Sequence, residues 1–153
     1  MEPRTRRRPT IGGGGSGGIV ASDRNVPGDY GETGPTRNSD TLAAIDAALN
    51  VAIAASTGDV LLVSFVAVAG TNNGSAVQGF FNYSVNGVAQ FAPEFGQRMS
   101  GIDTELISYT DIHTVEAGEI SGGLVTLIPL WAGTVMEIQY PPVFSVVNLG
   151  QVG

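Results

Sequence analysis

The chain has 153 residues, of which 42% are hydrophobic and 14% charged, and this composition suffices for one domain with a core of its own. Cysteine is absent, which excludes disulfides, thiolate metal sites and cysteine nucleophiles. The net charge of −7 is divided unevenly, because residues 1–10 carry +3 (four arginines, one acid) and the rest carries −10 (three arginines, thirteen acids). We therefore expect the acidic body to bind neither nucleic acid nor an anionic membrane.

The first 38 residues lack hydrophobic periodicity and hold nine of the 22 glycines and four of the eight prolines. This composition predicts an extended arm, with a disordered tail as the simpler alternative. The basic start is followed by glycine rather than an apolar stretch, so we expect no secretory signal. No apolar run approaches the roughly 18 residues of a membrane span. A folded domain is predicted over residues 39–153.

Residues 39–53 fit two interpretations. The first is a short helix capped by Ser39 or Asp40, because apolar residues recur three and four positions apart at 42, 45 and 49. The second is a strand, because apolar residues alternate with small or polar ones from 49 to 53. We predict a short helical turn followed by a strand.

From residue 57 the chain has the pattern of short strands separated by turn residues. Strands are predicted at 60–69, 77–85, 88–91, 104–115, 124–131, 135–140 and 143–149. The dipeptide Asn86-Gly87 between two of them is the strongest short signal for a β-hairpin. Seven or eight strands without a second long helix predict an all-β fold, an antiparallel sandwich or barrel.

Two of these strands are apolar on both faces. In 60–69 the odd positions carry Leu, Val, Phe and Ala, while the even positions carry mostly Val and Leu; residues 124–131 show the same property. A strand that is wet on one face should alternate with polar residues, so the outer faces need a cover. A second copy of the chain would supply it, and we predict a symmetric oligomer.

Four stretches, taken in order, resemble a known family. They are TGDVLLVSFVAVAG, FFNYSVNGVAQ, GGLVTLIPLWAGTVMEIQY and PPVFSVVNLG, within about residues 49–149. A Gly-Asp turn before a long apolar strand, a Val-Asn-Gly hairpin, a late Ala-Gly turn and a closing strand with an aromatic and alternating valines resemble the trimeric jelly rolls of the tumour-necrosis-factor and complement-head type. The resemblance implies an antiparallel jelly-roll sandwich of about eight strands, assembled as a homotrimer.

The resemblance also implies where subunits meet, since the aromatic closing strand of such trimers lies near the threefold axis. That strand carries Phe144 and Val146. Together with the strands that are apolar on both faces, it gives a predicted trimer interface of Phe65, Leu127, Trp131, Phe144 and Val146.

A trimeric jelly roll with a long N-terminal arm resembles the capsid decoration, or cement, proteins of tailed bacteriophages. The resemblance implies a structural, non-enzymatic protein, made in the host cytoplasm and located on the outer surface of the virion capsid, which it stabilises while its arm clamps major capsid protein subunits. The predicted capsid-binding residues are Arg4, Arg6, Arg7, Arg8, Ile11, Ile19 and Val20. Four arginines are too few for tight nucleic-acid binding, so we expect them to contact an acidic protein surface.

The alternative function is the receptor-binding tip of a phage tail fibre or a lectin-like surface trimer. Such a tip usually follows a coiled coil or collagen-like repeat, and residues 1–38 contain neither. We therefore prefer capsid decoration.

We expect no catalytic, cofactor or metal site. His113, the only histidine, shares a strand face with Asp111, which would suit a dyad or two metal ligands, but a solvated strand face is the preferred interpretation. Acids at 94, 103 and 105 are interpreted as solubilising, and aromatic residues at 80, 81, 83 and 131 as packing anchors rather than a sugar platform. The glycine pattern from Gly12 to Gly17 lacks the preceding strand and following helix of a phosphate loop.

Overall fold

The described part of the chain is almost entirely antiparallel β-structure. The computed structural model describes residues 19–28, 34–71, 77–91, 97–101 and 104–151. Eleven strands lie in these ranges: β1 Ala21–Asn25, β2 Thr36–Ala44, β3 Val51–Ala54, β4 Asp59–Thr71, β5 Val77–Val85, β6 Val88–Ala89, β7 Gln97–Gly101, β8 Glu105–Thr114, β9 Ile120–Ser121, β10 Leu124–Ile138 and β11 Val143–Gln151. Their pairings are antiparallel, which confirms the predicted all-β class.

The strands form two layers that face each other. The first layer has the order β1–β11–β4–β8. In the second layer β10 is central, with β5 on one side and β2 and β3 on the other; β6 and β7 pair with β5, and β9 with β10. The layers are joined where the end of β4 pairs with the end of β10, Ala69 opposite Ile138.

Aromatic rings fill the space between the two layers. Phe65 of β4 stacks on Phe81 of β5 with ring centroids 5.8 Å apart, although these strands are not neighbours in the sheet. Phe65 also stacks on Tyr109 of β8 at 5.2 Å, and Trp131 of β10 lies 6.2 Å from Phe81. The Phe65–Phe81 contact joins the two layers, as in a sandwich, whereas the other two contacts join neighbouring strands within one layer.

The residues predicted for a trimer interface lie in this core, and that assignment is corrected here. Each of the five is at most 2% exposed: Phe65, Leu127, Trp131, Phe144 and Val146. The largest apolar side chains gain most from burial, so the single chain already encloses them. An interface between copies must use other residues.

The stretch 39–53 combines both interpretations that the sequence allowed. A 3-10 helix spans Ala47–Leu49 and is followed by β3, as predicted. Its cap is Asp46, whose carboxylate accepts a hydrogen bond from the Ala48 amide at 2.9 Å. Ser39 and Asp40, the predicted caps, lie within β2 instead, because pairing with β10 outweighs local helix signals.

Two strands begin within residues 1–38, the predicted arm. β1 pairs with β11 from Ala21 opposite Asn148 to Asn25 opposite Phe144. The Asn25 side-chain amide also donates to the Asn50 carbonyl at 2.7 Å, and β2 begins at Thr36. This part of the predicted arm therefore belongs to the sheet. The predicted capsid contacts Arg4, Arg6, Arg7, Arg8 and Ile11 lie outside the described residues.

The predicted hairpin at Asn86-Gly87 is confirmed, and the predicted late turn is corrected. Asn86 and Gly87 have φ of 48° and 85°, the two positive values of a type I′ turn between β5 and β6. In contrast, the predicted strands 124–131 and 135–140 are not separate, because one strand, β10, runs through Leu124–Ile138. The Ala132-Gly133 pair lies at an irregularity in the pairing of β10 with β2, so it bends a strand rather than ending one.

Candidate functional site

Strand β8 points its charged side chains inward and several apolar ones toward solvent, the reverse of what an exposed edge strand normally shows. Tyr109 lies opposite the buried Phe65, and Asp111 opposite the buried Val63, so this side of β8 faces the other layer. The outward side consists of Leu106, Ser108, Thr110, Ile112 and Thr114, all exposed. A solvated outer side normally carries the charged residues, whereas here they point inward. Two candidate sites follow, one on each side of this strand.

The inward side of β8 forms a polar cluster with β5. The Tyr83 hydroxyl donates to an Asp111 carboxylate oxygen at 2.7 Å, and the Tyr109 hydroxyl donates to the Asn82 carbonyl at 2.9 Å. The two tyrosine rings stack with centroids 6.1 Å apart. Burial raises the pKa of Tyr83 far above its ordinary value of 10.0, and the Asp111 hydrogen bond and charge raise it further. Burial likewise raises the pKa of Tyr109. Both hydroxyls therefore stay protonated and act as hydrogen-bond donors.

His113 lies on the same inward side but has a different partner. Its Nε2 is 2.8 Å and 3.0 Å from the two carboxylate oxygens of Glu119, with the two side chains only 13% and 16% exposed. Glu119 also accepts a hydrogen bond from the Glu116 amide at 2.9 Å. The sequence alone does not pair Glu119 with His113, because their contact depends on the helix Ala117–Glu119, which folds the chain back toward β8.

The predicted shared face of Asp111 and His113 is thus confirmed, but the two side chains are engaged separately. Asp111 accepts from Tyr83 on β5, and His113 contacts Glu119 at the end of a turn. Within the residues that the structure describes, no group of three His, Cys, Asp or Glu side chains could hold a metal ion. What these contacts can do is tie β8 to the opposite layer and to the following turn.

The outward side of the first layer forms the second candidate site, which we call the outer face. Its members follow from the register, since directly opposed residues of paired strands share a side. They are Val60, Leu62, Ser64, Val66, Val68, Leu106, Ser108, Thr110, Ile112, Thr114, Val143, Ser145 and Val147. The most exposed of the large apolar members are Leu106 at 70%, Ile112 at 66% and Val66 at 43%. Neighbouring apolar side chains of this size are normally buried against other residues.

The outer face is ordered in rows that run across three strands. Ile112, Leu62 and Val147 form one apolar row. The next row consists of hydroxyl side chains, Thr110, Ser64 and Ser145, and the third contains Ser108, Val66 and Val143. A row of small hydroxyls is therefore flanked by branched aliphatic side chains on both sides.

The outer face is also nearly free of charge. Acids do occur on the same strands, but Asp23 lies opposite the buried Val146, and Glu105 opposite the buried Ala69, so both are on the inward side. Among the described residues of β1, β11, β4 and β8, Arg24 at the margin is the one charged side chain on the outward side. The acids of these strands thus lie off this surface.

The two predicted capsid contacts that the structure describes lie next to this layer. Ile19 and Val20 are 58% and 56% exposed and directly precede β1. The Val20 amide donates to the Asn148 carbonyl at 2.7 Å, which holds the chain against the edge of β11. The described chain therefore begins at the edge of the outer face.

The comparisons with known proteins add no name to these observations. The chain matches no protein-family model, and no curated protein matches its sequence. In the described ranges no helix has the length and apolar character to cross a membrane. The function is therefore argued from the geometry of the two candidate sites.

Proposed function

We propose that the protein is a structural, non-enzymatic component of a virus particle, which decorates the outer surface of the capsid as a homotrimer and stabilises it. In this proposal the N-terminal arm clamps neighbouring major capsid protein subunits. The observation that carries the proposal is the outer face, which is apolar, almost uncharged and uncovered in a single chain. A surface of this kind is typical of a protein that works in an assembly.

The inward polar cluster supports a structural role as well. Asp111 and Glu119 already accept hydrogen bonds or ion-pair contacts from Tyr83 and His113 at 2.7–2.8 Å. Because burial keeps the Tyr83 hydroxyl protonated, it acts as a fixed donor rather than as a base. These groups stiffen the sandwich, as a protein that reinforces a shell requires.

The arm supplies the contact with the shell. Eighteen residues precede the described part of the domain and begin with Arg4, Arg6, Arg7 and Arg8. Extended at about 3.3 Å per residue, they reach on the order of 60 Å, enough to cross a neighbouring subunit. Each trimer would carry three arms, so individually modest contacts are multiplied by effective concentration. Ile11, Ile19 and Val20 add apolar contacts to the charged ones.

The proposal is tested by the place of the protein in purified particles of the virus that encodes it. We expect the full chain to co-sediment with DNA-filled heads and not with tails. A variant with Arg4, Arg6, Arg7 and Arg8 replaced by alanine should bind heads about tenfold more weakly at moderate salt while keeping its oligomeric mass. Thr5→Ala, which leaves the four arginines of the arm in place, is the control and should bind normally. Recovery with tails would support a receptor-binding tip instead, and unchanged binding of the quadruple variant would remove the clamp.

A further inference from the structure

We propose that the outer face is the surface through which copies of this chain bind one another, so that equivalent faces meet around the symmetry axis. This inference rests on the proposed homotrimer and assigns its interface. It replaces the five core residues Phe65, Leu127, Trp131, Phe144 and Val146 with a surface that is exposed in the single chain. The charge, the side-chain types and the size of the outer face support this inference.

The distribution of charge favours contact between copies at the outer face. Each copy carries a net charge of −7, so identical copies repel one another at a distance. Two copies can come into contact only through a surface that leaves the acids out. The outer face meets this requirement, because Asp23, Glu105 and Asp111 lie on the inward side of the same strands. A surface for a foreign partner would normally use charge to select it, and this surface offers only Arg24 at its margin.

The side chains of the outer face also suit contact with a second copy of the chain. A carboxylate or guanidinium repels its own equivalent, whereas an aliphatic side chain packs well against one. A hydroxyl both donates and accepts a hydrogen bond, so Ser64, Thr110 and Ser145 can pair with the same residues of another copy. The central hydroxyl row is flanked by the apolar rows of Leu62 and Val66. In a trimer the contacts are heterologous, so away from the axis one part of the outer face meets a different part of the same face on the next copy. Aliphatic and hydroxyl side chains suit both kinds of contact, because they bring no fixed charge to either.

The area of the outer face is also relevant to contact between copies. Strands β11, β4 and β8, with β1 at the margin, are spaced about 4.8 Å apart, and the β4–β8 ladder is about ten residues long at about 3.3 Å per residue. The outer face therefore covers on the order of 600 Å² in projection, which a trimer divides between two neighbours, against the roughly 800 Å² of accessible surface that each partner contributes to one standard interface. Permanent interfaces between identical subunits are also more apolar than transient ones.

The test introduces a carboxylate into the outer face of the full chain. Ile112→Asp would bring the same negative charge from every copy to one place, and we expect it to weaken trimer formation about 100-fold, measured as mass against concentration by sedimentation equilibrium. Val88→Asp is the matched control, since Val88 is also 66% exposed but lies on the β5–β6 hairpin of the other layer. It should leave the trimer intact.

A second variant guards against an effect of folding. Leu106→Asp changes another outward side chain of β8 and should also give monomers, with the far-ultraviolet circular dichroism of the native chain. If the wild type is trimeric and both outer-face variants remain trimeric, the inference is overturned while the proposed homotrimer stands. If Val88→Asp dissociates equally, total charge and not the outer face controls assembly, and the inference is again overturned. A wild type that is monomeric at every concentration, for example because residues 1–18 fold over the outer face, overturns both.

Discussion

Ile112 of β8 lies directly opposite Leu62 of β4, and both side chains point away from the core. Cross-strand neighbours on one side of a sheet pack against each other, so one chain already assembles half of an apolar contact. Val147 of β11, opposite Leu62 on its other flank, extends the row. The described part of the domain thus presents an ordered apolar surface that it does not itself bury.

The burial of Trp131 predicts that this residue stabilises the fold of each chain rather than the contact between chains. It is 2% exposed and its ring lies 6.2 Å from that of Phe81. Trp131→Ala should lower the free energy of unfolding by about 3–5 kcal/mol, because it removes a large buried side chain and leaves a cavity. Urea denaturation at fixed protein concentration measures this. Thr126→Ala, at an exposed position of the same strand, should change stability little, and a loss below about 1 kcal/mol for Trp131→Ala would contradict the core assignment.

Asn148 predicts a second stability effect, since its buried amide joins three segments of the chain. Its Nδ2 donates to the Ala54 carbonyl and to the Asp59 carboxylate, both at 2.9 Å, and its Oδ1 accepts from the Gly150 amide at 2.8 Å. Asn148→Ala leaves these buried groups without that partner and should destabilise the protein by about 2–4 kcal/mol in urea denaturation. Asn38→Ala, on the exposed side of β2, is the control. Equal stability of the two variants would show that the Asn148 contacts are dispensable.

The buried tyrosines predict a loss of stability at alkaline pH. The pKa of Tyr83 and Tyr109 is raised in the folded chain, first by burial and then by neighbouring charges that include Asp111. Above about pH 10 the unfolded chain ionises these residues while the folded chain does not, so the unfolded state is favoured. Stability should therefore be unaffected by them below pH 10 and fall above it by up to about 1.4 kcal/mol per pH unit for each tyrosine.

The composition makes that measurement clean, because the chain has no lysine and no cysteine to titrate in the same range. Urea denaturation between pH 8 and about pH 11 would give the slope, and Tyr83→Phe should remove roughly half of it. Absorbance of the folded chain near 295 nm should show Tyr83 and Tyr109 resisting ionisation. A flat stability profile above pH 10, or full ionisation without unfolding, would contradict the buried donors.

The β5–β6 hairpin predicts a difference between two glycines. Gly87 has φ of 85°, a left-handed conformation that a side chain disfavours, although no atom would contact an added Cβ. Gly87→Ala should therefore destabilise the chain by about 1 kcal/mol through backbone strain alone. Gly118→Ala is the control, because Gly118 also has open space around it but lies outside the left-handed region. Equal midpoints of thermal unfolding for the two variants would be inconsistent with the type I′ turn.

The positions of several strands along the chain could be predicted from the sequence because the signals are local. Asn86-Gly87 defines a hairpin by itself, and the apolar run of β4 is long enough to be recognised as a strand. The inner face could not be predicted in the same way, since both faces of β4 carry similar apolar residues. The structure buries the face with Phe65 because its ring meets Phe81 and Tyr109, which come from distant parts of the sequence.

Contacts between distant segments explain the remaining differences. Nothing near Ala21–Asn25 in the sequence indicates a strand, and its partner β11 lies more than 100 residues away. Glu119 could not be assigned to His113, because their contact depends on the path of a three-residue helix. The outer face of β8 was not predicted, because the rule that charged residues face solvent gave Asp111 and His113 the solvated side, whereas the structure turns both inward.

The proposed assembly requires that the outer face is buried between copies of the chain. The mass of the unmodified protein in solution measures whether such an assembly forms. Sedimentation equilibrium up to about 100 µM should give a mass close to three times the 15.7 kDa of one chain, with dissociation only on dilution. A mass of 15.7 kDa across the whole range, with the outer face open to solvent, would contradict the assembly and the capsid role derived from it.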